Sequence, residues 1–137
     1  SIAQGGQIVE LRLPGTLYIY ADEVKIGQVI TNFLTNALKH TAAGQHITIQ
    51  AYRKPDEETM HFEIRDDGEG IPESELPYVW DRYHKTSRSF SRNQLNTGLG
   101  LAIVKAILDA HDAQFGVESV VGKGSTFWFE LRETHEA

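Results

Sequence analysis

Residues 93–105 read Asn-Gln-Leu-Asn-Thr-Gly-Leu-Gly-Leu-Ala-Ile-Val-Lys, a loop with two glycines followed by an apolar run. The run predicts a helix over about 99–111 that opens directly after the glycines. The first N–H groups of a helix have no intrahelical partner, carry partial positive charge, and become accessible to an anion where glycine precedes them. Alone, the stretch is equally typical of a phosphate site and of a glycine turn before a helix.

The composition indicates one ordinary domain with a real core. The chain has 137 residues. It has no cysteine, which excludes disulfides and thiolate metal sites. Its net charge of −6 argues against nucleic acid as the main partner. No apolar run is long enough to cross a membrane, so we expect no direct membrane contact. Arg82, Lys85, Arg88 and Arg92 follow Asp81 without another acidic residue, which favours either a bound polyanion or a solvated loop.

The hydrophobic pattern predicts an α+β two-layer sandwich. Alternation indicates strands at 8–13, 17–20, 46–53, 60–66, 115–120 and 125–132. Asp22 suits the N-cap of a helix that runs to about His40. We predict that residues 1–7 are an N-terminal stub, that 8–137 form the domain, and that 73–97 are mostly irregular. Strands paired mainly as hairpins with helices between them give the fold class.

The first predicted helix has two faces. Its apolar stripe consists of Ile26, Val29, Ile30, Phe33, Ala37 and Leu38. Asn32, Asn36, Lys39 and His40 follow i, i+4, i+7 and i+8 spacing and share another face. Amide oxygens suit Mg²⁺ and its waters, and a lysine beside them would meet phosphate oxygens, whereas the alternative is an ordinary solvent face.

Two further clusters follow the predicted strands. Asp66 has the strand parity of Phe62 and Ile64, so its carboxylate should point toward the core layer, where an adenine amino group is a suitable donor. Gly68 and Gly70 would let a flat base lie against the backbone, although Asp-Gly is also a plain turn signal. In the segment 122–127, Ser125 shares the inward parity of the last strand, unless this segment is only a hairpin turn.

These clusters, in this order, resemble the catalytic ATP-binding domain of bacterial sensor histidine kinases, in the GHKL (Bergerat-fold) superfamily. Residues 32–41 resemble its N box, 66–72 its first glycine box, 79–85 its F box, 96–101 its second glycine box and 122–127 its third. The resemblance covers nearly the whole chain after residue 8. It implies a mixed, mostly antiparallel sheet of about five strands packed on about three helices.

The resemblance also implies a Mg²⁺-ATP site. Asn32, Asn36 and Lys39 would be catalytic, with Asn36 as the Mg²⁺ ligand, and residues 86–97 would form the ATP lid. The implied nucleotide-binding residues are Asn36, Lys39, His40, Asp66, Gly68, Gly70, Ile71, Tyr83, Lys85, Thr97, Gly98, Leu99, Gly100, Leu101, Ser125 and Thr126.

The chain departs from the family pattern at a few positions. Trp80 and Tyr83 stand where phenylalanine is usual, and both remain aromatic. Asn96 stands where the second glycine box commonly begins with glycine, and asparagine tolerates a left-handed backbone. The His-Gly-Gly that often follows the second helix is replaced by His111-Asp112-Ala113.

The resemblance favours phosphoryl transfer over hydrolysis. Hydrolases of this superfamily carry a glutamate at the position of Asn32, and an amide cannot act as a general base. The acceptor would be a histidine on a separate helical dimerisation domain, because none of the six histidines here fits that role, and a response regulator would follow. We therefore expect the isolated domain to be a monomer that binds ATP without phosphorylating itself. The parent would be a cytoplasmic homodimer anchored to the membrane.

Two alternatives remain open on the sequence. One is a stand-alone GHKL serine kinase of the anti-sigma type. The other is a degenerate module that only binds nucleotide or a partner, for which Asn96 is the sole support.

Overall fold

The computed structural model of the chain describes residues 6–13, 23–55, 58–81 and 92–132, with residues 23 and 92–99 described by their backbone only. The elements are β1 (Ile8–Arg12), α1 (Glu23–Lys39), β2 (His46–Arg53), β3 (Thr59–Asp66), a 3₁₀ helix (Glu73–Tyr78), α2 (Arg92–Ala110), β4 (Gln114–Val120) and β5 (Gly124–Arg132). The strand predicted at 17–20, the N-cap Asp22, Tyr83, Lys85 and residues 86–91 of the predicted lid lie outside the described residues.

The five described strands form one mixed sheet in the order β1-β2-β3-β5-β4. β1 runs parallel to β2, and the other neighbouring pairs are antiparallel. The register places Asp66 opposite Ile47 on one side and Ser125 on the other. The α+β class and the mostly antiparallel sheet are thereby confirmed, and the described helices number two α-helices and one 3₁₀ helix.

The core lies between the sheet and the two α-helices. Phe33 of α1 is fully buried, and its ring centroid lies 5.3 Å from that of Phe127 and 6.1 Å from that of Phe129. Trp80 closes this cluster, with ring centroids 6.2 Å from Phe33 and 5.0 Å from Phe115. The aromatic residue predicted in the F-box-like segment is thus a packing residue that ties this segment to the core.

The outer face of the sheet is polar but partly buried. His61 lies between two carboxylates, with Nδ1 2.8 Å from Glu130 and Nε2 2.9 Å from Glu63. Lys54 and Arg65 add ion pairs to Glu130 and Glu63 at 3.1 Å and 3.0 Å. Since buried charges need partners, this network accounts for the burial of Glu63 on the face away from the helices.

The prediction for the second helix is wrong at its start. α2 begins at Arg92 rather than near residue 99, so Thr97 to Gly100 lie inside the helix rather than in a loop before it. Residues 92–97 contain no proline, and the arginine, glutamine and leucine among them favour helix. The 3₁₀ helix at Glu73–Tyr78 likewise replaces part of the segment predicted as irregular.

Gln7, predicted to belong to an N-terminal stub, is buried against α1. Its side-chain amide donates to the carbonyl oxygens of Leu38 at 3.0 Å and Thr41 at 3.1 Å. Carbonyl groups at the end of a helix lack intrahelical donors, so Gln7 satisfies part of the C-terminus of α1. The packed domain therefore extends at least to Gln7.

The turn after α2 predicts a stabilising substitution. Asp112 has φ 52°, Ala113 N donates to Leu108 O at 3.0 Å, and Asp112 N donates to Asp109 O at 3.1 Å, which is a Schellman motif. Glycine adopts this conformation without a Cβ penalty, so Asp112→Gly should raise the free energy of unfolding by about 0.5–1 kcal/mol. Urea denaturation measures the change, and Ala110→Gly, in helical backbone, should lower the same quantity. An unchanged or lower value for Asp112→Gly would contradict the prediction.

Candidate functional site

The polar face of α1 forms one wall of the candidate site. Asn36 is only 4% exposed, and its side-chain amide makes no hydrogen bond to another residue in the described part of the chain. Lys39 and His40 follow at the C-terminal end of the helix and are half-buried. Asn36 thus presents a sheltered amide that is available to a ligand.

Asn32 connects this wall to α2. Its Nδ2 donates to the carbonyl oxygen of Gly100 at 3.4 Å. A Cβ at Gly100 would lie 3.8 Å from the Asn32 amide, so the two helices approach closely at this point. The structure therefore brings the first helix and the glycine-containing helix together.

Asp66, at the end of β3, is the second element of the site. It is 3% exposed, and its Oδ1 accepts a hydrogen bond from Gly68 N at 3.0 Å. Burial raises the pKa of the Asp66 carboxyl above its ordinary value, while the N–H groups of Gly68 and Ser125 and the nearby His40 partly offset that rise. Within the described residues Asp66 has no ion-pair partner, so only backbone donors and a neighbouring histidine stabilise the negative charge of this carboxylate.

The loop after β3 is fixed against the end of α1. Glu69 N donates to His40 O at 3.4 Å, and the Glu69 carboxylate lies 3.1 Å from His40 Nδ1. A Cβ at Gly68 would collide with the His40 carbonyl oxygen. Gly68 is thus required by backbone packing, whereas the sequence suggested that it leaves room for a flat ligand.

The β4–β5 hairpin closes the other side of this loop. Gly122 N donates to Glu69 O at 2.8 Å, and Ile71 N donates to the Ser119 hydroxyl at 2.7 Å. At Gly124, φ is +123° and a Cβ would collide with the Asp66 carbonyl oxygen. The hairpin and the Asp66 loop therefore hold each other in place.

Most of the predicted site residues within the described part of the chain lie at these connected elements. They are Asn32, Asn36, Lys39, His40, Asp66, Gly68, Gly70, Ile71, Gly100 and Ser125. For Thr97, Gly98 and Leu99 the structure gives the backbone, which is helical. Their N–H groups therefore lie within α2 rather than at an open helix end, contrary to the prediction.

The side chains of two predicted site residues point away from these elements. Thr126 is the register partner of Arg65 and Glu118. Its side chain lies on the outer face of the sheet, because successive residues of a strand point to opposite faces and Ser125 points inward. Leu101 is 5% exposed, and its side chain packs in the core.

Sequence reasoning missed Ser119 and Gln7. Ser119 shares the inward parity of Phe115 and Val117 on β4, which is the signal that could have identified it. Gln7 had no such signal, because its partners are more than thirty residues away at the end of α1.

The described residues include no group of three or more His, Asp or Glu side chains that could hold a metal ion unaided. A cation held by Asn36 would therefore need oxygen ligands from a bound anion and from water.

No described helix is long and apolar enough to cross a membrane.

Comparison with known proteins identifies the family. The family model described as "Histidine kinase-, DNA gyrase B-, and HSP90-like ATPase" matches residues 21–135. The sensor histidine kinase WalK of Bacillus subtilis is 37% identical over 115 residues, which are 84% of this chain and 19% of that protein. The sensor histidine kinase AruS of Pseudomonas aeruginosa is 42% identical over 106 residues, which are 76% of this chain and 11% of that protein. The chain thus spans about a fifth or less of the length of these relatives.

Solved structures agree with the sequence comparison. A mycobacterial sensor histidine kinase, MprB, superposes with a TM-score of 0.80 at 25% identity, over 93% of this chain and 84% of that one. Full-length ShkA in complex with AMPPNP gives a TM-score of 0.81 at 26% identity, over 98% of this chain and 27% of that one. The chain belongs to the histidine kinase-, DNA gyrase B- and HSP90-like ATPase family, and the relatives that it resembles are named sensor histidine kinases.

Proposed function

We propose that this domain binds Mg²⁺-ATP and donates the γ-phosphoryl group to a histidine on a separate dimerisation and phosphoacceptor domain. The observation that carries the proposal is Asp66, a carboxylate that is 3% exposed and has no ion-pair partner within the described residues. A buried carboxylate without a cation is costly unless a ligand donates to it. The exocyclic amino group of adenine is such a donor.

The polar face of α1 fits the phosphates and the metal. The Asn36 amide supplies a hard oxygen ligand, and Lys39 and His40 lie one turn further on, where they can contact phosphate oxygens. When bound, Mg²⁺ neutralises phosphate charge as the γ-phosphoryl group departs. The protein's own contribution is to position the nucleotide. Asn36 is buried on α1, and the loop after β3 is held between α1 and the β4–β5 hairpin, so both ends of the site are fixed in place.

Asn32 distinguishes transfer from hydrolysis. Its amide nitrogen donates to Gly100 O, and an amide cannot take a proton from water near neutral pH. This part of the site therefore supplies no general base for attack by water, which favours an acceptor on another domain.

The partners follow from the same proposal. The acceptor histidine lies on the parent's own dimerisation domain, and a response regulator receiver domain takes the phosphoryl group onward. We infer that the parent is a cytoplasmic homodimer with a membrane anchor, whereas the isolated domain is a monomer. The relatives that support this inference are named sensor histidine kinases.

A titration with ATP in the presence and absence of Mg²⁺ tests the proposal. We expect isothermal titration calorimetry to show binding that strengthens with Mg²⁺. Incubation with γ-labelled ATP should leave no acid-labile phosphate on the isolated domain. Absent or Mg²⁺-indifferent binding would favour a degenerate module, and an acid-labile phosphate would overturn the assignment of the acceptor to another domain.

A further inference from the structure

The hydroxyl group of Ser119 lies where three parts of the site meet. It accepts a hydrogen bond from Ile71 N at 2.7 Å, and it lies 2.9 Å from Gly124 O and 2.7 Å from the Ser125 hydroxyl. A serine hydroxyl has one proton, so Ser119 donates to either Gly124 O or Ser125 while it accepts from Ile71. One side chain thereby links the loop after β3 to both strands of the β4–β5 hairpin.

These partners surround the Asp66 carboxylate. Ser125 is the register partner of Asp66, and its backbone N–H lowers the pKa of the Asp66 carboxyl that burial raises. Gly124 packs directly on the Asp66 carbonyl group, and Ile71 ends the loop that Asp66 begins. The Ser119 hydroxyl therefore holds residues on both sides of the carboxylate without contacting it.

Loss of this hydroxyl leaves a specific defect. Without Ser119 Oγ, the Ile71 N–H has no acceptor at a partly buried position, and the loop can move relative to Ser125. A shift of the loop changes where the Asp66 carboxylate points, whereas Asn36 and Lys39 stay on α1. The base end of the site should be affected and the phosphate end should not.

We propose that Ser119 is a positioning residue for nucleobase specificity: it fixes the Asp66 carboxylate so that the site selects purines with an amino group at position 6. This inference rests on the proposed binding of ATP with adenine at Asp66. It assigns a role to a side chain that does not itself touch the nucleotide.

The test compares ATP with purine riboside triphosphate, which lacks the 6-amino group. Dissociation constants of both nucleotides are measured with Mg²⁺ for the wild-type domain and for Ser119→Ala. We expect the preference for ATP to fall by about threefold to tenfold in Ser119→Ala, with the affinity for the analogue unchanged. Ser119→Cys, which keeps the size but is a poor hydrogen-bonding group, should behave alike, and Ser119→Thr should restore the preference.

Leu131→Val serves as a control for stability. Leu131 is a core residue six positions along β5 from Ser125, so its substitution should destabilise the domain away from Asp66. It should weaken neither nucleotide selectively. A wild-type preference that persists in both Ser119→Ala and Ser119→Cys would overturn the role of Ser119 alone. Equal losses for both nucleotides would also overturn it, since they indicate a purely structural role. A wild-type domain that binds both nucleotides equally would overturn the base site itself, and this inference with it.

Discussion

Replacing Asn36 with alanine should weaken Mg²⁺-ATP binding by about 10- to 100-fold, which is the effect expected for loss of a sheltered ligand to a charged group. The side chain is 4% exposed, and its amide makes no hydrogen bond within the described residues. Its removal therefore breaks no described hydrogen bond of the domain. Calorimetric titration of ATP in Mg²⁺ and in excess EDTA separates Mg²⁺-dependent binding from Mg²⁺-independent binding. The loss of affinity should be largely confined to the Mg²⁺ series.

The neighbouring Thr35 provides the matched control. It lies on the same helix but is exposed, so Thr35→Ala should leave both dissociation constants unchanged. Chemical denaturation of Asn36→Ala checks that the helix is intact. If Asn36→Ala weakened ATP equally with and without Mg²⁺, Asn36 would contact the nucleotide directly or support the fold, and the metal role would be wrong.

Local periodicity carried much of the prediction from sequence. The spacing of Asn32, Asn36 and Phe33 on α1 separated a polar face from an apolar one, and the structure buries Phe33 completely. Strand alternation likewise placed Asp66 and Ser125 on the inner face, where both are buried. These predictions succeed because a helix or strand fixes the directions of its side chains whatever it packs against.

The structure differs from the expectations at Thr126 and at the start of α2. Thr126 was assigned to the site by resemblance, although strand alternation beside Ser125 directs it outward. The start of α2 was placed at the glycines, yet the residues before them favour helix enough to extend it back to Arg92. Glycine favours the end of a helix only weakly, whereas extending an existing helix adds one backbone hydrogen bond for each further residue.

Contacts between distant segments were beyond the reach of sequence. Gln7 satisfies carbonyl groups at the end of α1, and Ser119 ties Ile71 to the β4–β5 hairpin. The Ser119 contact depends on a sheet order in which β5 lies between β3 and β4, whereas Gln7 directly precedes β1 at the opposite edge. No period within a single element encodes such a partner, so these supporting residues emerge only from the folded chain.

Asp66→Asn should weaken ATP binding by about tenfold or more, because a neutral amide oxygen replaces a charged acceptor in a buried position. The substitution should also change how stability depends on pH. Burial raises the pKa of the Asp66 carboxyl in the folded domain, so the folded state binds this proton more tightly than the unfolded state. As pH rises from about 4 through the raised pKa, the wild-type domain therefore loses stability at this position.

The difference in free energy of unfolding, Asp66→Asn minus wild type, should accordingly increase over that acidic range and then stay constant. Urea denaturation at a series of pH values measures it, and the subtraction removes every other titrating group common to both proteins. If Asp66→Asn kept full affinity for ATP while the pH-dependent difference appeared, Asp66 would be a buried acid of the fold and adenine would bind elsewhere. If the affinity fell without that difference, the carboxylate would recognise the base without carrying the cost of burial that motivates the assignment.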